Sequence, residues 1–156
     1  MQLLRAKISW DNIVVMMQRE VADRLNAEIG TKAYGVLTLT IQYYAQAQLA
    51  IKVPASAFNP SPNVDSAVVM LTPIVPETVV DNPDKLFSVV KGSFAHRRKS
   101  LWNNMLQMFG KQEDVKQRIQ DALDSVNIAS SIRAERLSLN QLTALYEALK
   151  LQGLIK

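Results

Sequence analysis

The chain contains no cysteine and only one histidine, His96, in 156 residues. Disulfides, thiolate nucleophiles and cysteine metal sites are excluded together, and one imidazole cannot supply a histidine cluster, so metalloenzyme chemistry is set aside. No run of 18 or more apolar residues occurs, and the opening Met1-Gln-Leu-Leu-Arg-Ala-Lys7 lacks the hydrophobic stretch of a secretion leader. A cytoplasmic protein with no membrane association is expected. The five glycines, at 30, 35, 92, 110 and 153, never cluster into a phosphate- or cofactor-cradling loop. Carboxylates are also poorly placed for chemistry. Asp65 beside Ser66, and Glu135 between Arg133 and Arg136, form neither a paired-acid nor a triad pattern; backbone bonding around a turn and an exposed charge network are their expected roles.

What remains is an ordinary globular composition, 48% hydrophobic and 21% charged, with a net charge of +4. That charge is unevenly distributed. Residues 1–80 carry six basic and six acidic side chains, whereas residues 81–156 carry twelve and eight. Between Leu86 and Gln112 lie Lys91, Arg97, Arg98, Lys99 and Lys111 with no acidic residue at all. A stretch of this kind attracts a polyanion by phosphate neutralisation and counterion release, which gives affinity without sequence preference. The alternative is a solvated basic helix face.

The apolar pattern divides the chain. Ile13-Val-Val-Met-Met17 has the continuous apolar character of a buried parallel strand, followed by a helix with Val21, Ala22 and Leu25 on one face and Gly30 as its stop. Gln48–Val53 and Ser66–Leu71 are predicted as strands. Leu37 to Tyr43 alternates apolar and polar residues, so pattern alone makes it a strand too. Thr72 to Pro83 holds three prolines and no helical period, and is taken as a linker. Beyond it the signals are helical. Asn82-Pro83-Asp84 is a helix start, Leu86, Phe87, Val90 and Phe94 form a stripe, and Leu101 to Phe109 stops at Gly110. A third helix follows from Val115, Ile119, Ala122 and Val126. Ser138-Leu-Asn-Gln141 is a capping box for a fourth, with Leu142, Leu145, Tyr146 and Leu149 on one face and Gly153 as its cap. The expected architecture is α/β plus all-α: residues 1–75 as a partial parallel-type sheet domain, 76–83 as linker, and 84–156 as a small helical domain.

Two segments carry candidate chemistry. In Phe58-Asn-Pro-Ser-Pro-Asn-Val-Asp-Ser66 the two prolines stiffen a loop between strands and restrict Asn59 and Ser61 before them. Phe58 on such a loop either anchors it to the core or stacks on a nucleobase lifted from its helix. In Phe94-Ala-His-Arg-Arg-Lys-Ser100, the cations either surround a helix end or contact phosphates, the arginines as bidentate forks and the lysine as a point charge. His96 has no nucleophile partner in sequence, and Trp10 and Trp102 are expected to be packing residues.

Taken in order, Val14-Val-Met-Met-Gln-Arg-Glu-Val-Ala-Asp-Arg-Leu25, Gly30-Thr-Lys-Ala-Tyr-Gly35, Ile41-Gln-Tyr-Tyr44, Val53 through Val69, and Ser93-Phe-Ala-His-Arg-Arg-Lys-Ser-Leu101 resemble the small-subunit ribosomal RNA adenine N6,N6-dimethyltransferases. The resemblance covers essentially the whole chain. It implies the C-terminal part of a Rossmann-like methyltransferase sheet followed by a helical, rRNA-facing domain. The implied activity is transfer of methyl groups from S-adenosylmethionine to N6 of two adjacent adenines in small-subunit (16S) rRNA, during ribosome assembly on the pre-ribosomal small subunit. It places a target-base contact on Phe58 and RNA contacts on Arg97, Arg98 and Lys99, and makes residues 35–44 a helix despite their alternation.

Two elements of the family pattern are absent from this sequence: the glycine-rich cofactor turn, and the Asn-Leu-Pro-Tyr tetrad that orients the adenine amine, which would fall before Met1. The isolated chain is therefore expected to be catalytically inactive, with no catalytic residue and no bound cofactor of its own, and to self-associate or form a swapped arrangement across the open edge of its sheet. A non-catalytic RNA-binding or ribosome-assembly module is the alternative. The large-subunit rRNA adenine methyltransferases share the Phe-x-Pro-x-Pro element, but the Arg-Arg-Lys segment and long helical tail fit the small-subunit family better.

Overall fold

The computed structural model describes Leu4 and residues 10–155, so the remainder of the N-terminal stretch examined for a leader lies outside the described residues. The chain divides into two compact units, Met1–Glu77 and Thr78–Lys156.

The first unit is α/β. Strand β1 (Ile13–Gln18) leads directly into helix α1 (Arg19–Leu25), and helix α2 (Val36–Tyr44) runs without a break into β2 (Ala45–Val53); β3 (Ser66–Pro73) completes the sheet. The alternating segment is thus a helix. Thr38 and Thr40 are buried within it, their hydroxyls donating to the carbonyls of Arg24 and Val36, so the "polar" positions of the alternation are satisfied inside the unit.

The strand order is β1-β3-β2, with β3 antiparallel to both neighbours. This corrects the reading of Ile13 to Met17 as a strand flanked by parallel partners and buried on both faces. Among the described residues its hydrogen-bonded partner is β3, and its burial alternates. Ile13, Val15 and Met17 face a core of Ala22, Leu25, Ile41, Ala67, Val69 and Leu71, joined by Trp10 as a packing residue. Val14 and Met16 face away and are 62% and 56% exposed. Continuous apolarity failed to separate the two faces because both are apolar, although only one is covered here.

The exposed side continues across the sheet. Val14 pairs with Met70, Met16 with Val68, and Val68 in turn with Ile51. A bulge between Leu49 and Ile51 shifts the phase of β2 and brings Ile51 onto this side.

The second unit is all-α. Helix α3 (Pro83–Ser93) is capped by Asn82, whose side chain accepts from the Lys85 amide at 3.1 Å, and α4 (Leu101–Phe109) is capped by Ser100 and ends at Gly110, where φ is +114°. Helix α5 (Glu113–Ser125) and helix α6 (Leu139–Leu151) follow. The Ser138/Gln141 capping box forms in both directions, and Leu142, Leu145, Tyr146 and Leu149 are completely buried. Together with Leu86, Val90, Leu101, Met105, Ile119 and Leu123 they make the core of this unit. No described helix is long and apolar enough to cross a membrane.

Candidate nucleic-acid interface

Phe58 lies in the first unit and the basic residues Arg97, Arg98 and Lys99 in the second.

Phe58 follows a single 3-10 turn, Ala55–Ala57, at the end of β2. Its amide donates to the Ala55 carbonyl at 3.2 Å, and its ring is half-buried at the base of a loop whose residues 59–65 are all exposed. Three further bonds brace this loop. Asp65 Oδ1 accepts from the Ala55 amide at 2.9 Å, Ser61 Oγ donates to the Ala55 carbonyl at 2.8 Å, and the Asp65 carbonyl accepts from the Arg19 amide at 2.9 Å. Asp65 thus has the backbone-bonding role expected of it. The Asn59–Pro60 peptide is cis. Ser61 and Asp65 both bond to the Ala55 backbone, and the Phe58 ring that follows this turn is left partly open.

The basic segment is a run of turns between α3 and α4. Arg97, Arg98 and Lys99 are all exposed, and with Ala95 and His96 they line one open basin of about 580 Å³. The structure therefore brings the three cations together. They are not equivalent, because Arg97 Nη2 lies 3.2 Å from Glu135 Oε2, an acid from the short turn Ala134–Arg136. At this exposure the pair contributes little to stability, but it sets one carboxylate against Arg97.

Asn104 escaped the sequence reading. Leu101, Asn104, Met105 and Met108 have the spacing of one helix stripe, and Asn104 is 2% exposed on it. Its Nδ2 donates to the Ser93 carbonyl at 2.9 Å and to the His96 carbonyl at 3.3 Å, while its Oδ1 accepts from the His96 amide at 3.2 Å. The available signal was one amide side chain on an otherwise apolar stripe. The charge network expected among Arg133, Glu135 and Arg136 is replaced by a pair that reaches outside that cluster, Glu135 with Arg97.

A family model described as Ribosomal RNA adenine dimethylase matches residues 1–150. The chain belongs to this family. It is 71% identical over 153 residues to the Ribosomal RNA small subunit methyltransferase A of Leuconostoc mesenteroides, an alignment covering 98% of this chain and 52% of that protein. The proteins of the same description from Lactiplantibacillus plantarum and Streptococcus pneumoniae are 53% and 48% identical, covering 96% and 99% of this chain and 51% and 53% of theirs. This member of the rRNA adenine dimethylase family thus spans about half the length of the curated relatives it matches.

Among solved structures, a dimethyladenosine transferase from Plasmodium falciparum superposes with a TM-score of 0.84 at 23% identity, covering 97% of this chain and 62% of that one. The 23S rRNA methyltransferase ErmE gives 0.58 at 20% identity, covering 90% and 55%. At these identities the likeness concerns the fold: an α/β sheet followed by a helical unit.

Strand β1 passes from Gln18 straight into Arg19 with no glycine turn between strand and helix. Among the described residues no cluster of metal-binding side chains occurs either.

Proposed function

We propose that this chain is the RNA-contacting C-terminal part of an S-adenosylmethionine-dependent rRNA adenine N6,N6-dimethyltransferase. In the whole enzyme it would act on two adjacent adenines of small-subunit rRNA, on the pre-ribosomal particle in the cytoplasm. Residues 1–75 belong to the methyltransferase domain, 76–83 form the linker and 84–156 the rRNA-facing domain. The observation that carries the reading is the basin formed by Arg97, Arg98 and Lys99 within an acid-free run of 27 residues, Leu86 to Gln112, in a member of this family. Arginine forks bind phosphate oxygens bidentately, and three clustered cations release counterions on binding a nucleic acid. Phe58 holds the target adenine by stacking, a role supported by its braced position.

The same reading makes the 156-residue chain by itself a non-catalytic RNA-binding module, inactive in methyl transfer and binding no S-adenosylmethionine, and it is supported by five glycines that form no cofactor-cradling cluster. The chain also self-associates across the open edge of its sheet at β1, which among the described residues pairs on one side only. The apolar series of Val14, Met16 and Ile51 supports this, because large exposed apolar patches are uncommon on monomeric proteins.

The test is a titration of the purified chain with a small-subunit rRNA transcript at several salt concentrations, alongside transfer of labelled methyl groups to immature small subunits. Salt-dependent binding without methyl transfer is expected. Binding indifferent to salt would overturn the RNA reading, and methyl transfer by the pure chain would overturn the division of labour.

A further inference from the structure

We propose that Asn104 is a positioning residue for RNA binding, acting through the backbone of the basic loop. The inference rests on the RNA-contact reading of Arg97, Arg98 and Lys99.

An amide at a buried position on an apolar helix stripe is costly unless its polar atoms are paired. Asn104 pairs both ends of its amide, and every partner belongs to the segment that precedes the cations. The Ser93 carbonyl, at the last residue of α3, is one of the orphan acceptors of a helix end. His96 is gripped twice, through its amide and its carbonyl. The same His96 carbonyl accepts from the Lys99 amide at 2.9 Å, so the turn bearing Arg97 and Arg98 is closed on the residue that Asn104 holds. At the far end of the loop the Leu101 amide donates to the Ile132 carbonyl at 2.6 Å, and Ser100 caps α4.

The loop's backbone is thus held at both ends while its three cationic side chains remain exposed. An apolar residue at 104 would pack the stripe and leave the exposed His96 to water, so the bond to the buried Ser93 carbonyl serves the helix end while the two bonds to His96 serve the loop. What the amide adds is a loop whose shape is set before RNA arrives. Such preorganisation raises affinity by removing the ordering cost of binding.

The experiment compares the 156-residue chain with Asn104→Ala and with the double variant Arg98→Ala/Lys99→Ala. The log of the affinity for a small-subunit rRNA transcript is followed against log salt, well below each protein's melting temperature. Each lost phosphate contact removes about 0.7–0.9 from the slope. Asn104→Ala is expected to flatten the slope by about one such step and to weaken low-salt binding about fivefold or more, with all three cations still present; a purely structural residue would lower the melting temperature and leave the slope intact. If the double variant flattens the slope and Asn104→Ala does not, the positioning role is overturned. If the double variant keeps the full slope, the RNA reading itself fails. Should Asn104→Ala not fold, amide exchange in the unaltered chain decides: the His96 amide is expected to exchange at least about tenfold slower than that of Arg98, and equal rates overturn the inference.

Discussion

The Tyr146 hydroxyl donates to Asp81 Oδ1 at 2.9 Å, joining two residues 65 positions apart. Lys150, one turn further along α6, donates to the other carboxylate oxygen at 2.6 Å. The two bonds tie the segment that enters α3 to the last helix of the same unit. They lower the Asp81 pKa below the ordinary carboxylate value, with the Lys150 bond first and the Tyr146 bond second, and the Asp81 bond raises that of Lys150.

The pH dependence follows from these directions. A depressed carboxylate contributes stability that is present above its unfolded pKa of about 3.9 and is lost as pH falls through its folded value. A raised lysine contributes stability that is present below about 10.4 and is lost as pH rises through its folded value. Asp81→Asn is therefore expected to melt closer to the parent chain at both extremes than at neutral pH. Thermal melts of both proteins from pH 2 to 11 check this, and a difference that stayed constant across that range would refute it.

Ser138 Oγ accepts from the Gln141 amide at 3.2 Å, and Gln141 Oε1 accepts from the Ser138 amide at 2.9 Å. Removing the first half of this box in Ser138→Ala should cost about 1 kcal/mol. In a domain of this size that is about 4–8 °C in melting temperature. Ser138→Asp, which keeps an acceptor, should recover most of the loss in the same calorimetric measurement.

Ile119 is completely buried where α5 joins the helical core. Ile119→Ala should lower the unfolding free energy of that unit by about 2–5 kcal/mol, the range for a buried branched side chain replaced by a methyl group. Denaturant unfolding followed by circular dichroism measures it, and a loss below about 1 kcal/mol would mean that the site collapses around the cavity.

Phe58→Ala should weaken binding to an RNA with an unpaired target adenine by about 1–3 kcal/mol, the value of one base–aromatic stack. Little change is expected for a fully paired duplex. A ring that only anchored the loop would instead show its effect in protein stability, with both RNAs bound as before.

On the sheet, Val14→Thr with Met16→Gln leaves the covered side untouched and makes part of the open side polar. Light scattering across a concentration series should show less association than in the parent chain. The melting temperature at low concentration should shift by no more than about 0.5 kcal/mol equivalent, as for ordinary surface substitutions.

The helical unit was largely legible residue by residue because its signals are local. Asn82, Ser100 and Ser138 cap helices through amides three residues onward, Gly110 and Gly153 take the positive φ their helix ends require, and the α6 stripe needs only a 3.6-residue period. Clustered positive charge was visible in the same way, since Arg97, Arg98 and Lys99 are adjacent in sequence.

Elsewhere local pattern misled. Leu37 to Tyr43 alternates like a strand, yet Thr38 and Thr40 bond to backbone carbonyls and let a helix bury them. Ile13 to Met17 is apolar on both sides, and only the antiparallel pairing with β3 and the cover of α1 and α2 determine which side is core. The sequence by itself determined where the helices of the second unit start and stop, where the charge lies and which loop is stiffened by proline, because those properties depend on neighbours within a few residues. Only the tertiary structure decided that Glu135 faces Arg97, that Asp81 meets Tyr146 and that Asn104 holds the basic loop. Those partners are brought together by burial of the helical core, and hydrogen bonds between residues far apart in sequence exist only once it has formed.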